Sequence, residues 1–158
     1  MKIIILSNEK SDRIRKHLNE RYGVLFSEMN DWLFSGYNKN VWVLSREIGE
    51  NGIQIGNIYS AGLLFFTDEK NFSPTSNGIT FLGNRVRKNI VEIHFSKMDS
   101  FFLGEKIPIQ SCILHSVDSN GWVSARCGGI IVGSALLTQQ HLIPNLPPKG
   151  RGSESEEK

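Results

Sequence analysis

The chain is poor in cysteine, in proline and in sustained apolar runs, and each shortage closes off a class of protein. Its 158 residues hold two cysteines, Cys112 and Cys127, and five prolines. There is no C-x-x-C, and two lone thiols make neither a disulfide framework nor a zinc site. Both read as small, partly buried apolar side chains. No apolar run approaches the roughly 18 residues of a membrane span. The opening Ile3-Ile4-Ile5-Leu6 is too short for a signal peptide. The expectation is a cytoplasmic protein with no membrane partner. Also missing are G-x-x-x-x-G-K-[ST], a G-x-G-x-x-G between strand and helix, and G-x-S-x-G. No cofactor and no enzymatic activity are expected. The histidines, His17, His94, His115 and His141, are scattered one per element, without metal-ligand spacing. His17 reads as a solvated helix residue and His94 as an edge or half-buried strand residue. Cys127 pairs on paper with His115 or His141 as nucleophile and base, yet it opens a Gly-Gly turn and sits at no helix N-terminus.

What is present is a moderate apolar content, 39%, enough for one domain or two very small ones. Net charge is +2, unevenly spread. Residues 1–82 balance nine Lys/Arg against nine Asp/Glu, whereas residues 83–152 carry eight against four. The final SESEEK is acidic and reads as a solvated tail. A positive C-terminal half fits a polyanionic partner.

Ile14, Leu18 and Tyr22 recur on one helical face, with Ser7 or Ser11 as cap and Gly23 as stop. Leu25–Met29 suggests a short helical turn. Trp32–Phe34 and Val41–Leu44 flank a turn-rich stretch and predict a hairpin. Ile53–Ile55 and Ile58–Phe66 read as strands, and Thr75 as the cap of a short helix over Gly78–Leu82. A boundary is placed at about Gly83. Beyond it, Ile90–Phe95 reads as a strand. A capping-box spacing at Ser96–Asp99 starts a short helix through Leu103, and Gly104 ends it. Lys106–Ile109, Ser111–Val117, Trp122–Arg126 and Ile130–Leu137 follow as strands. The last two flank the Gly128-Gly129 turn, and Gly133 interrupts the second. A Pro-rich, basic stretch ends in Lys149-Gly150-Arg151. Many short strands with one short helix suggest a small barrel.

The residues with binding chemistry are the cations Arg85, Arg87, Lys88, Lys106, Arg126, Lys149 and Arg151. Arg recognises phosphate bidentately and Lys as a point charge. Gly104, Gly128 and Gly129 permit close backbone approach. Trp42 and Trp122 read as core.

The order of Arg85–Ile93, Phe102-Leu-Gly-Glu105, Gly121-Trp-Val123, Gly129–Gly133 and Ile143–Arg151 resembles the PUA domain. It looks closest to the PUA-like tails of the Nol/Nop/Sun RNA 5-methylcytosine methyltransferases, and is similar to the Nip-seven-type ribosome biogenesis proteins. The first half, with Arg21–Val24, Val41–Ser45, Gly62–Phe65, Ser73–Thr75 and Phe81–Gly83 in order, resembles the segment that precedes PUA. The resemblance spans about residues 12–151. It implies an α+β fold: an α/β module over 1–83, a PUA-like RNA-binding β-barrel over 84–151 and an acidic tail over 152–158. It implies binding of structured rRNA or tRNA, in ribosome biogenesis, rRNA processing or RNA modification, with assembly or modification proteins as further partners. A protein–protein adaptor is the alternative. The implied RNA surface is Gly104–Ile107, Arg126–Gly129 and His141–Arg151. Lys106, Arg126, Lys149 and Arg151 come first, and Arg85, Arg87 and Lys88 second. The Pro-Gly-Ile/Val signature of many PUA domains is replaced by Leu103-Gly-Glu-Lys106, and no S-adenosylmethionine motif is present.

Overall fold

The computed structural model describes residues 4–51 and 62–146. The expected strands over 53–55 and the start of 58–66, together with Lys149, Arg151 and the acidic tail, lie outside the described residues. The fold is α+β, built on two sheets. The first is an antiparallel meander of β1 (Ile4–Ile5), β2 (Trp32–Tyr37), β3 (Asn40–Ser45), β4 (Leu63–Asp68) and β5 (Ser73–Pro74), in that spatial order. Helix α1 (Asn8–Tyr22) buries Ile14, Leu18 and Tyr22, the face the sequence predicts. Ser7 Oγ accepts from Lys10 N, and Gly23 closes the helix in the left-handed conformation. A single 3-10 turn, Phe26–Met29, follows. Helix α2 (Arg46–Asn51) falls where the sequence suggests no element. Helix α3 (Ser76–Leu82) begins at the predicted cap, where Thr75 Oγ1 accepts from Gly78 N at 2.9 Å.

The second sheet contains β6 (Ile90–Ile93), β7 (Ile107–Pro108), β8 (Cys112–His115), β9 (Gly121–Cys127), β10 (Ile130–Leu137) and β11 (His141–Pro144). Its order is β7-β11-β10-β9-β6-β8, with β6 and β9 parallel and every other pair antiparallel. Helix α4 (Met98–Phe102) follows β6 and buries Phe101. The predicted Ser96–Asp99 capping box does not start it. Instead, His94 Nδ1 accepts from Ser96 N at the 3-10 turn Phe95–Lys97, which leads into α4. His94 is therefore an exposed cap and not a half-buried strand residue.

Each sheet has its own core, and β10 serves both. A bulge lies between Ile131 and Gly133. Ile131, opposite Arg126, joins the core of the first sheet, together with Val86 and Ile90. Beyond the bulge, Ala135 and Leu137 join Val123, Ala125, Cys127, Ile93 and Phe101 in the core of the second sheet. One extra residue in a strand exchanges the faces its side chains reach. The outer face of β9–β10 then meets α3 and β5 through small residues. Ser134 Oγ donates to Pro74 O at 3.3 Å, Ser134 N to Ser76 Oγ at 3.2 Å, and Asn145 Nδ2 to Pro74 O. A Cβ at Gly133 would stand 3.0 Å from Ser76 Oγ and 3.4 Å from Phe101 Cε1, so it would fit only if Ser76 and Phe101 gave way by a few tenths of an ångström.

A second polar junction ties α1 to the second sheet. Asn89 is fully buried, and all four of its hydrogen-bonding groups are used. Its backbone N–H donates to Ser116 O and its carbonyl accepts from Ser124 N, both at 2.9 Å. Its Nδ2 donates to Arg21 O at 2.7 Å, and its Oδ1 accepts from Asp118 N at 3.0 Å. Beside it, the Arg21 guanidinium donates to the carbonyls of Trp122 at 2.8 Å and Ser119 at 3.1 Å.

His17 is not the solvated residue the sequence suggests. Its ring stacks on Phe72 at 4.3 Å and meets Tyr22 and Phe66 edge-on. Burial, with a smaller contribution from the Arg21 charge, lowers its pKa from 6.5 to about 4. The folded pKa lies below the unfolded one, so the unfolded chain binds the proton first. His17's contribution is complete above about pH 6.5 and is lost as pH falls toward 4. After discounting for partial exposure, stability should drop by about 1–2 kcal/mol between pH 7 and 5. Urea titrations of wild type and His17→Leu check this, because the variant should show a flat profile across that window. A wild-type profile equally flat above pH 5 contradicts the assignment. The carboxylate of Glu28, lowered to about 2 chiefly by its hydrogen bond to Arg87, titrates below the window.

Candidate nucleic-acid interface

The end of α4 and the strand after it carry Lys106 on an exposed turn, with Asp99 and Glu105 exposed nearby. Leu103 N donates to Asp99 O, Gly104 N to Phe101 O at 3.1 Å and Glu105 N to Ser100 O at 2.9 Å. These bonds close the helix in a Schellman-type cap with Gly104 at φ +78°. The cap turns the chain back so that Ile107 pairs with Leu142 of β11. Lys106 is left exposed beside β11, without an ion-pair partner among the described residues. Phe102 and Leu103, 55% and 66% exposed, precede the turn. Leu146, which leads toward Lys149 and Arg151, lies against Gly104. An exposed ammonium can meet a phosphate and an exposed aromatic ring can stack on a base. In sequence Phe102 and Leu103 read only as the end of a short helix through Leu103.

The other cations fare differently. Arg126 stands opposite Glu92 on neighbouring parallel strands, and its Nε donates to Glu92 Oε2 at 2.5 Å. Burial opposes ionisation of Glu92. The Arg126 hydrogen bond and charge, and the N–H groups of Gly128 and Gly129, outweigh it and hold the carboxyl below its usual range. Both glycines have positive φ, +56° and +82°, as a two-residue hairpin turn of the mirror-image type needs. The Gly-Gly turn thus holds a carboxylate of the protein itself.

Arg87 grips Glu28 with two hydrogen bonds, at 2.8 and 2.9 Å. Arg85 lies over the rings of Trp32 and Phe81, at 5.9 and 5.8 Å. Lys88 is exposed and carries no ion pair among the described residues, while its backbone N–H donates to Tyr22 O. The described members of the predicted set do not form one patch. Lys106 is level with Ile143, Leu136 and Trp122 across the sheet, and Arg126 lies further along β9, past Ala125, on a different strand.

Cys127 is buried and Cys112 half-buried. They occupy the two strands flanking Ile93, too far apart for a disulfide. Among the described residues, no three His, Cys, Asp or Glu side chains converge as a metal site. No described helix is long and apolar enough to cross a membrane.

No protein-family model and no curated protein matches the chain. Among solved structures, the fold is similar to that of a conserved PUA-domain protein from Thermoplasma acidophilum. The TM-score is 0.54 over 94% of this chain and 95% of that one, at 12% identity. At that identity the likeness is one of fold: the chain has a PUA-like α+β architecture along nearly its whole described length.

Proposed function

We propose that the protein binds structured RNA, such as rRNA or tRNA, without catalysing a reaction. Its place would be in ribosome biogenesis, rRNA processing or RNA modification. The observation that carries the reading is Lys106, an exposed cation with no ion pair among the described residues, which follows the Gly104 cap of α4 and leads into β7 at the end of the second sheet. The chain leaves Leu146 beside this surface and carries Lys149 and Arg151 onward. Lys88 adds a more distant free cation. Arg126 and Arg87 contribute less, because a phosphate must compete with Glu92 and Glu28 for them. Arg85 keeps its guanidinium on an aromatic face.

Binding through three or four phosphates should give a log–log salt slope of about −2 to −3 on the single-strand coefficient. Fluorescence anisotropy with a tRNA pool and rRNA fragments measures it. The triple change Lys106→Glu, Lys149→Glu, Arg151→Glu should abolish measurable binding, and Lys106→Ala alone should reduce the slope by about 0.7. Unchanged affinity in the folded triple variant would overturn the site. The adaptor reading draws on the apolar character of Phe102 and Leu103. Partners retained after RNase treatment, and lost in Phe102→Ser, would favour it.

A further inference from the structure

We propose that β8 is a self-pairing edge, through which two copies of this chain associate by antiparallel addition of β8 to the β8 of a second copy. β8 ends the sheet order and pairs only with β6 among the described residues. Ile113 is 62% exposed and Leu114 47%. Consecutive strand residues point to opposite faces, so both faces of this edge are bare. Phe95, 80% exposed, lines the same groove of about 450 Å³ with Cys112, Ile113 and Gly128.

Edge strands are ordinarily protected by charge, proline or a bulge. From Ile107 to Val117 this chain has no charged side chain, and β8 has neither proline nor bulge. The acid lining the groove, Glu92, is already neutralised by Arg126 and the Gly128 and Gly129 N–H groups. The edge therefore attracts neither phosphate nor a charged peptide. It suits an uncharged apolar strand, and a second β8 is one. A two-fold axis between copies makes the pairing antiparallel and puts like surface on like, with no charge to repel. The apolar area of Phe95, Ile113 and Leu114 left exposed is roughly 350 Å² per protomer, taking side-chain areas of about 150–250 Å². That is under half of the roughly 800 Å² per partner in a standard stable interface, so the dimer is weak and concentration-dependent.

Sedimentation velocity on RNase-treated protein in reducing buffer, over about 5–500 μM, tests this. The expected result is a reversible monomer–dimer equilibrium, with amide exchange at Ile113–His115 slowing as concentration rises. Ile113→Lys with Leu114→Lys, both exposed, should leave the urea midpoint unchanged and weaken association at least about tenfold. Lys106→Glu should leave the dimer intact, which separates this inference from the RNA reading. A wild-type chain that stays monomeric throughout leaves the edge to a different protein and overturns the proposal. So does a dimer indifferent to the two lysines.

Discussion

Replacing Asn89 by alanine is expected to cost about 2–4 kcal/mol of folding stability. Two partners, the carbonyl of half-buried Arg21 and the N–H of exposed Asp118, lose their hydrogen bonds to it. The Arg21 carbonyl is left unpaired at about 1–3 kcal/mol, and the Asp118 N–H turns to water at less. Asn89 also sits at φ +52°, where a β-carbon without a short polar side chain costs about 1 kcal/mol more. Asn89→Gly removes the same hydrogen bonds without that strain, and should therefore be about 1 kcal/mol less damaging than alanine. Asn89→Asp keeps the acceptor but turns a carboxylate oxygen toward the Arg21 carbonyl, and should be no better than alanine. Urea unfolding of the three variants orders them. An alanine variant within about 1 kcal/mol of wild type contradicts the account, since a single orphaned buried group already costs that much.

Gly133→Val is expected to lose about 2–4 kcal/mol by forcing apart the contact between β10, α3 and α4. The β-carbon alone meets Ser76 Oγ at 3.0 Å and Phe101 Cε1 at 3.4 Å, and two further methyls add to that crowding. Moving Ser76 also disturbs its hydrogen bonds to Ser134 N and Asn145 O. Gly133→Ala should cost about half as much. Combining it with Ser76→Gly removes the nearest atoms, so the double change should show a favourable coupling of about 1 kcal/mol. Thermal unfolding of the single and double variants measures the coupling, and strict additivity would contradict the packing argument.

The elements legible in sequence are those whose instructions are local. Ser7 and Gly23 bound α1, Thr75 opens α3, and the Gly-Gly turn sets the β9–β10 hairpin. β11 reads as a Pro-rich tail in sequence and is a strand only because β10 and β7 flank it. Helix α2, with a glycine inside it, has weak local preference; Ser45 Oγ accepts from Ile48 N at its start. The candidate site divides the same way. That the second half is basic is visible in its letters. Which cations are already spoken for is not, because Glu28 lies 59 residues from Arg87 and Glu92 lies 34 from Arg126. His17 looks solvated for the same reason: Phe72, which covers it, arrives from another element.

The bulged β10 also sets a timetable for biosynthesis. The first sheet's core takes Ile131 as a member, along with Val86 and Ile90. The N-terminal half therefore cannot finish packing when the ribosome has reached Gly83. It must wait for Ile131, about 2–10 s later at synthesis rates of about 5–20 residues per second. During that interval the first sheet's core lacks one of its buried members. The nascent chain is most exposed to chaperones and to misassociation in this window, which closes when the β9–β10 hairpin folds back.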